Sequence, residues 1–255
     1  MVCMMKKRMK EASQMSDLIE KNYDRTKNSV CYIVGAGVLG ESSFAFSYRG
    51  LLIAADGGYN RLKDLGIIPD FLVGDFDSLE NVPQDVPTEK FSEEKDQTDM
   101  MIAIDKGFDL GYTTFAIYGG LGGRLDHSIA NIQLLSYISK KRGRGYLIQG
   151  DTIITVIRDE QYKIKGQDQG YLSVFSLDKS AKGVTLRGLK YGIKDAELNN
   201  HYPIGVSNEF IGEEVSIQVK EGSLMVLWTS KNPEESLFPY SLGALDFVSE
   251  LKVLR

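Results

Sequence analysis

The residues best suited to chemistry are aspartates that close apolar, strand-like runs. In FLVGDFDSLE, residues 71–80, such a run ends at Gly74 and sets Asp75 and Asp77 on either side of Phe76. In an extended chain, residues two apart face the same way, roughly 7 Å apart at ~3.3 Å per residue, with Phe76 on the opposite side. Like charges that close invite a cation between them, and magnesium is one candidate. A solvated turn is the other, because Asp and Ser readily bond their own backbone. Asp56 closes another apolar run in AADGG, and EEKDQTDMM adds Asp96 and Asp99, with Thr98 placed to cap a following helix. Asp99 also suits a first helical turn simply through the helix dipole. The run YGGLGGRLDH supplies glycines whose N–H groups can approach phosphate oxygens without Cβ interference. Arg124 then opens a helix whose N-terminus is itself anion-binding, or pairs with Asp126 at the surface. His127 has no base-like neighbour in sequence and reads as a helix residue. Several carboxylates with a glycine-rich loop point to metal-assisted phosphoryl chemistry, with magnesium taking a few carboxylate oxygens and the rest of its shell from water and phosphate.

The elements that must position these residues change character midway. From residue 30, VCYIVGAG, LLIAADGG, FLVGDFDS, TTFAIYGG and GYLIQG read as buried strands. They alternate with helical stretches YNRLKDLG, TDMMIAIDKGFDLG and RLDHSIANIQLLSYISKKRG, the last with Leu125, Ile129, Ile132, Leu135 and Ile138 at spacings of three and four. That alternation predicts an α/β domain with a doubly wound, mainly parallel sheet, whose ligands sit beyond the carboxyl ends of its strands. After Gly150-Asp151 the chain turns to short strands (TIITVIRD, QYKIKG, GYLSVFSL, GVTLRGLKYGI, EVSIQVKEG, SLMVLW) separated by Gly, Asp and Lys turns, which predicts an all-β sandwich domain. The expected organisation is an N-terminal extension over 1–29, the α/β domain over 30–150, the β-sandwich over 151–229 and a tail over 230–255.

Composition narrows the setting. The 255 residues carry 35 acidic and 30 basic side chains, a formal charge of −5, so no basic surplus suggests a nucleic-acid partner. No apolar run approaches the ~20 residues that span a bilayer. Cys3 and Cys31 form no CxxC pair, which argues against a zinc site or a disulfide framework. The N-terminus has no secretory pattern, and the expected compartment is the cytoplasm.

Other readings use the same residues. Gly35, Gly37 and Gly40 spell GxGxxG after a strand and Asp56 ends the next one, the outline of a dinucleotide-binding oxidoreductase. The polar, aromatic ESSFAFSYRG that follows is a poor helix for that fold. FLVGDFDS also fits an aspartyl phosphatase, without a convincing later acidic pair. A non-catalytic nucleotide or vitamin sensor would keep the fold but has no need of intact Asp75, Asp77 and Asp99.

In order and spacing, IAADGGYNRL, PDFLVGDFDSL, EEKDQTDMMIAID and GGLGGRLDHSIANIQLL resemble the thiamine pyrophosphokinase family, and GLKYGIKDAEL, GVSNEF and VSIQVKEGSLMVLW resemble its C-terminal β-domain. The resemblance covers residues 30–229. It implies transfer of the terminal pyrophosphate of ATP to the hydroxyl of thiamine, giving thiamine diphosphate and AMP. It further implies Mg2+ held by Asp75, Asp77 and Asp99, and an ATP side lined by Asp56, Asn60, Lys95, Gln97, Thr98, Arg124, Asp126 and His127. Ser207 and Asn208 would contact thiamine, and Tyr191 stands where some members carry a tryptophan that stacks on the vitamin. Members are homodimers with the active site at the subunit interface. Trp228 reads as a strand residue of the β core.

Overall fold

The computed structural model describes residues 29–39, 50–77, 79, 82–91 and 96–238, so the expected N-terminal extension and most of the tail lie outside the described residues. Six strands run parallel in one layer: β1 (Val30–Val34), β2 (Gly50–Ala55), β3 (Phe71–Gly74), β4 (Thr88–Lys90), β5 (Thr114–Tyr118) and β6 (Arg144–Gln149). Their order, β6-β5-β1-β2-β3-β4, places a topological switch point between β1 and β5. The edge strand β4 was not expected from the sequence. Its residues, Thr88, Glu89 and Lys90, are all polar and give no apolar pattern.

Among the described residues three helices connect these strands: α1 (Gly58–Asp64), α2 (Asp99–Asp109) and α3 (Leu125–Lys140). Thr98 caps α2 as expected, its hydroxyl accepting from the Met101 N–H at 3.2 Å. Met100, Ile102, Ala103 and Ile104 of α2 pack with Leu134, Leu135 and Ile138 of α3 on one face of the sheet, against Ile33, Ile53, Phe115 and Leu147. The stripe expected along α3 holds only in its second half. Leu135 and Ile138 are buried and Ile132 is half-buried, but Leu125 and Ile129 are exposed and Asn131 takes a core position.

At Gly150-Asp151 the chain makes a hairpin into β7 (Thr152–Arg158), antiparallel to β6. The sheet does not stop there. β14 (Ser223–Thr229), β9 (Tyr171–Ser176) and β12 (Asn208–Glu209) continue it, giving ten strands in the order β12-β9-β14-β7-β6-β5-β1-β2-β3-β4. A second sheet of β8 (Gln161–Ile164), β10 (Ser180–Arg187), β11 (Ile193–Asn199) and β13 (Val215–Gln218), in the order β11-β10-β13-β8, packs on the antiparallel end and completes the β-sandwich. One layer of that sandwich is therefore the same sheet that carries the α/β half. Fully buried Trp228 on β14 lies in the core between the two sheets, its ring 6.3 Å from that of Tyr162 on β8. A last short helix, α4 (Pro233–Leu237), leads to Phe238, whose ring meets Tyr146 and Tyr32 edge-on at 5.7 and 6.3 Å. Among the described residues no helix is long and apolar enough to cross a membrane.

The close seat of α2 on the sheet generates a test. A Cβ at Gly107 would lie 2.5 Å from the ring of fully buried Phe115 and 3.0 Å from the Cys31 sulfur. Helix propensity alone would favour Gly107→Ala by roughly 1 kcal/mol. Overpacking a rigid core costs about 1–3 kcal/mol and decides the sign. Gly107→Ala is therefore expected to lower the melting temperature by roughly 2–6 °C for a chain of this length. A rise in a thermal melt would show that Phe115 yields.

Candidate active site

Each acidic residue is placed by the end of a buried strand. Asp56 follows β2, donates its N–H to the Val73 carbonyl at 2.8 Å and sits at φ 45°. Gly74 ends β3 at φ 150°, and a Cβ there would come within 3.2 Å of both Cα and Cβ of Asp56. Only glycine lets the two strand ends approach so closely, which is why the apolar run terminates in one. The backbone beyond Gly74 is not extended as expected. Phe76 is left-handed at φ 68°, and the Asp77 N–H bonds Asp75 Oδ1 at 3.1 Å, closing an Asx turn. A left-handed aromatic is strained, and here burial of its ring in the core offsets the strain. With Phe76 turned inward, carboxylate oxygens of Asp56, Asp75 and Asp77 all lie within 4.8 Å of one another. The turn and the acidic cluster are thus one object. Asp56 and Asp75 are half-buried and Asp77 is exposed. Asp99, which the resemblance also assigns to the metal, occupies the first turn of α2, and the third carboxylate of this group is Asp56.

The glycine motif after β1 serves packing. Gly35 and Gly37 donate to the Tyr118 and Gly119 carbonyls at 2.8 and 2.9 Å, joining the β1 and β5 loops across the switch point. A Cβ on Gly37 would stand 2.6 Å from the carbonyl oxygens of Gly119 and Leu121. The third glycine of the motif, Gly40, lies outside the described residues. With both glycines committed to the neighbouring loop and Asp56 to the acidic cluster, the dinucleotide reading loses its two supports.

On the nucleotide side expected from the sequence, Asn60 is exposed on α1, and Thr98 and Gln97 precede α2. The Gln97 amide donates to Asp105 Oδ2 at 3.1 Å. Lys95 lies outside the described residues. Arg124 stands at the N-cap position of α3 and makes the surface pair that was its alternative reading, with Nη2 and Nε on the two oxygens of Asp126 at 2.6 and 3.2 Å. Those bonds hold the Asp126 carboxyl below its ordinary range and push the Arg124 guanidinium up. His127 is exposed, its N–H on Asp126 Oδ1. Asn131 was missed by the sequence reading. Its buried amide donates to the Gly120 carbonyl at 2.7 Å and holds the glycine-rich loop to α3, and its one signal was a polar residue on the buried side of a helix.

The three residues expected to meet thiamine do come together. The Asn208 side chain is buried and brackets the Tyr191 backbone, Oδ1 accepting from its N–H at 3.0 Å and Nδ2 donating to its carbonyl at 2.7 Å. Oδ1 also accepts from the Glu209 N–H. That amide is largely committed to holding Tyr191, whose ring is 59% exposed with Lys190 Nζ 5.4 Å from its centroid. Ser207 is exposed at φ 59°, its N–H bonded to Ser173 Oγ at 3.0 Å. This cluster borders β12 at one margin of the ten-stranded sheet, whereas the acidic cluster closes β2 and β3 near the other. Seven strand intervals separate β12 from β2. At ~4.8 Å each that is roughly 34 Å along the sheet.

Known proteins share both halves of this arrangement. Residues 45–147 match the family model described as the thiamin pyrophosphokinase catalytic domain, and residues 152–224 match that of the thiamin pyrophosphokinase vitamin B1 binding domain. A thiamine pyrophosphokinase of Bacillus subtilis is 30% identical over 184 residues, covering 69% of this chain and 86% of the relative. A crystal structure of thiamine pyrophosphokinase from Bacillus subtilis superposes with a TM-score of 0.71 at 26% identity, covering 79% of this chain and 99% of that one. The thiamin pyrophosphokinase of Geobacillus thermodenitrificans gives 0.68 at 25% identity over 79% of this chain and 97% of its own. With family models matching both halves, and the two clusters at the strand ends and at the sheet margin falling one in each, this chain belongs to the thiamin pyrophosphokinase family of enzymes.

Proposed function

We propose that this enzyme transfers the terminal pyrophosphoryl group of ATP to the hydroxyl of thiamine, releasing thiamine diphosphate and AMP. The observation that carries the reading is the convergence of Asp56, Asp75 and Asp77 beyond β2 and β3, on the same carboxyl edge of the sheet as the glycine-rich loop after β5. Three carboxylates offer the hard oxygen donors that Mg2+ prefers, and their oxygens are close enough to share one ion. Asp75 and Asp77 would hold it with Asp56, and Asp99 faces the nucleotide from the first turn of α2. When bound, magnesium supplies charge neutralisation across the phosphate oxygens. The chain itself supplies position. Backbone N–H groups of the Gly119–Gly123 loop and the N-terminus of α3 receive phosphate oxygens, and Arg124 can exchange its exposed partner Asp126 for them. The thiamine hydroxyl attacks the β-phosphorus in line. The bond from that phosphorus to the α,β-bridging oxygen breaks, AMP carries off the electron pair, and the hydroxyl proton passes to a carboxylate oxygen of the acidic cluster. An acidic rim also favours approach of a cationic vitamin.

In this reading, residues 30–150 carry ATP and magnesium and residues 151–229 carry thiamine through Tyr191, Ser207 and the Tyr191-holding Asn208. The span of roughly 34 Å between the two clusters is too long for one thiamine to bridge within a chain. A homodimer with each active site at the subunit interface resolves this, the α/β half of one copy facing the sandwich of the other. Exposed Tyr202, Ile204 and Val206 beside the vitamin cluster, and exposed Leu125 and Ile129 on α3, are apolar surfaces suited to such a contact. The proposed compartment is the reducing cytoplasm, where the buried, free thiol of Cys31 is at home.

The direct test is incubation with ATP, Mg2+ and thiamine followed by chromatography. AMP and thiamine diphosphate in equal amounts are expected; ADP, orthophosphate or no turnover would refute the reading. Asp75→Asn and Asp77→Asn should each abolish turnover. Because removing one anion from a crowded acidic edge relieves repulsion, both should melt at or slightly above the wild-type temperature without metal. Near-normal activity of both at limiting Mg2+ would remove the metal role.

The shared site gives a second test. Tyr191→Ala combined with Ser207→Ala should weaken thiamine binding by about ten- to a hundredfold and leave ATP binding little changed. Mixed with Asp75→Asn under subunit exchange, it should restore roughly a quarter of wild-type activity, since half the dimers then hold one undamaged site. Demonstrated exchange without recovered activity would eliminate the composite site.

A further inference from the structure

Asp105 lies two helical turns into α2, away from the acidic cluster, yet both of its oxygens are engaged. Oδ1 accepts from the Tyr137 hydroxyl on α3 at 2.5 Å and from Nζ of Lys141, the residue that ends α3 at its C-cap, at 2.7 Å, and Oδ2 accepts from the Gln97 amide at 3.1 Å. Lys141 is further fixed over the rings of Tyr137 and Phe108, at 4.6 and 4.9 Å. Partial burial pushes the Asp105 carboxyl up, but the bonds from Lys141, Tyr137 and Gln97 outweigh it and the net shift is downward. Asp105 therefore joins α2, α3 and the residues ahead of α2 at a single carboxylate.

Those residues matter because of where they lie. α2 packs on β2 and β3, the strands whose ends carry the acidic cluster. It follows β4, which runs parallel to β3, so its N-terminus faces their carboxyl edge. There Thr98 caps the helix and Gln97 is tied to Asp105. The pair formed with Lys141 is substantially exposed, with side-chain exposures of 41% and 26%, and such pairs add little to global stability. The geometry points to positioning.

Resting on the functional reading above, we propose that Asp105 is a positioning residue for pyrophosphoryl transfer: through the Gln97 amide it holds the Gln97–Asp99 segment, braced against α3, at the nucleotide side of the acidic cluster. Asp105 touches no substrate in this proposal and acts through Gln97.

The test is a double-mutant cycle in the full chain, with steady-state kinetics for each substrate and thermal melts. Asp105→Ala is expected to raise KM for MgATP about tenfold while KM for thiamine stays within about twofold. Gln97→Ala should do the same, and the double variant should be no worse than either single one, because the two residues act as a unit. Should Asp105→Ala not fold, Tyr137→Phe, which removes only a hydroxyl, takes its place in the cycle with the same non-additivity expected. Additive effects, or a lowered melting temperature with KM for MgATP unchanged, would overturn the proposal. A wild-type chain without turnover would instead fail the functional reading, and the cycle would then be read from MgATP dissociation constants by calorimetry.

Discussion

Three carboxylates whose oxygens fall within 4.8 Å of one another repel, and the scaffold has to hold them there in the absence of a cation. At that distance each pair costs about 1 kcal/mol in water and about 3 kcal/mol at an effective dielectric of about 20. Flexible loops would relax such a cluster. Here Asp56 and Asp75 leave adjacent, fully paired parallel strands, and Phe76 anchors the turn between Asp75 and Asp77 in the core. The backbone distortions at Asp56, Gly74 and Phe76 are local costs of that arrangement, borne by burial on both sides of the strand ends. In the proposed reaction, a divalent cation would relieve that repulsion at a site the fold has already shaped.

The ten-stranded sheet sets the second constraint. Because β7, β14, β9 and β12 extend the parallel layer, the two halves of the molecule share a rigid floor and do not fold over one another. The acidic cluster and the Tyr191–Ser207–Asn208 cluster are held apart by the width of that floor. Rigidity that fixes each cluster also keeps the two from meeting within one chain, which is the constraint behind the proposed dimer.

Much of the site was legible because its signals are short-range. Thr98 as a cap, the end of β3 at Gly74 and the gathering of Asp56, Asp75 and Asp77 follow from strand and helix patterns and from the rule that ligands bind at carboxyl edges. Other features were not legible. The turn at Phe76 replaces an extended pair because a buried aromatic can stabilise a left-handed residue, which no spacing rule reveals. Leu125 and Ile129 fit the helical period yet stay exposed, and Asn131 breaks the period to hold Gly120. Asp105 meets Tyr137 and Lys141 across more than thirty residues of sequence, a contact that depends on how α2 and α3 lie on the sheet.

By itself the sequence determined the succession of α/β and all-β halves, the strand ends that carry acidic and glycine-rich loops, and the family, because hydrophobic period, turn chemistry and motif order are properties of neighbouring residues. Tertiary structure alone decided that both halves share one sheet, that the chain turns at Phe76 between Asp75 and Asp77 instead of running extended, and that the Asn208 amide is committed to the Tyr191 backbone. Each of those outcomes depends on strand order and on close backbone approach between distant segments, and these are fixed only when the layers pack and every buried polar group must find its partner.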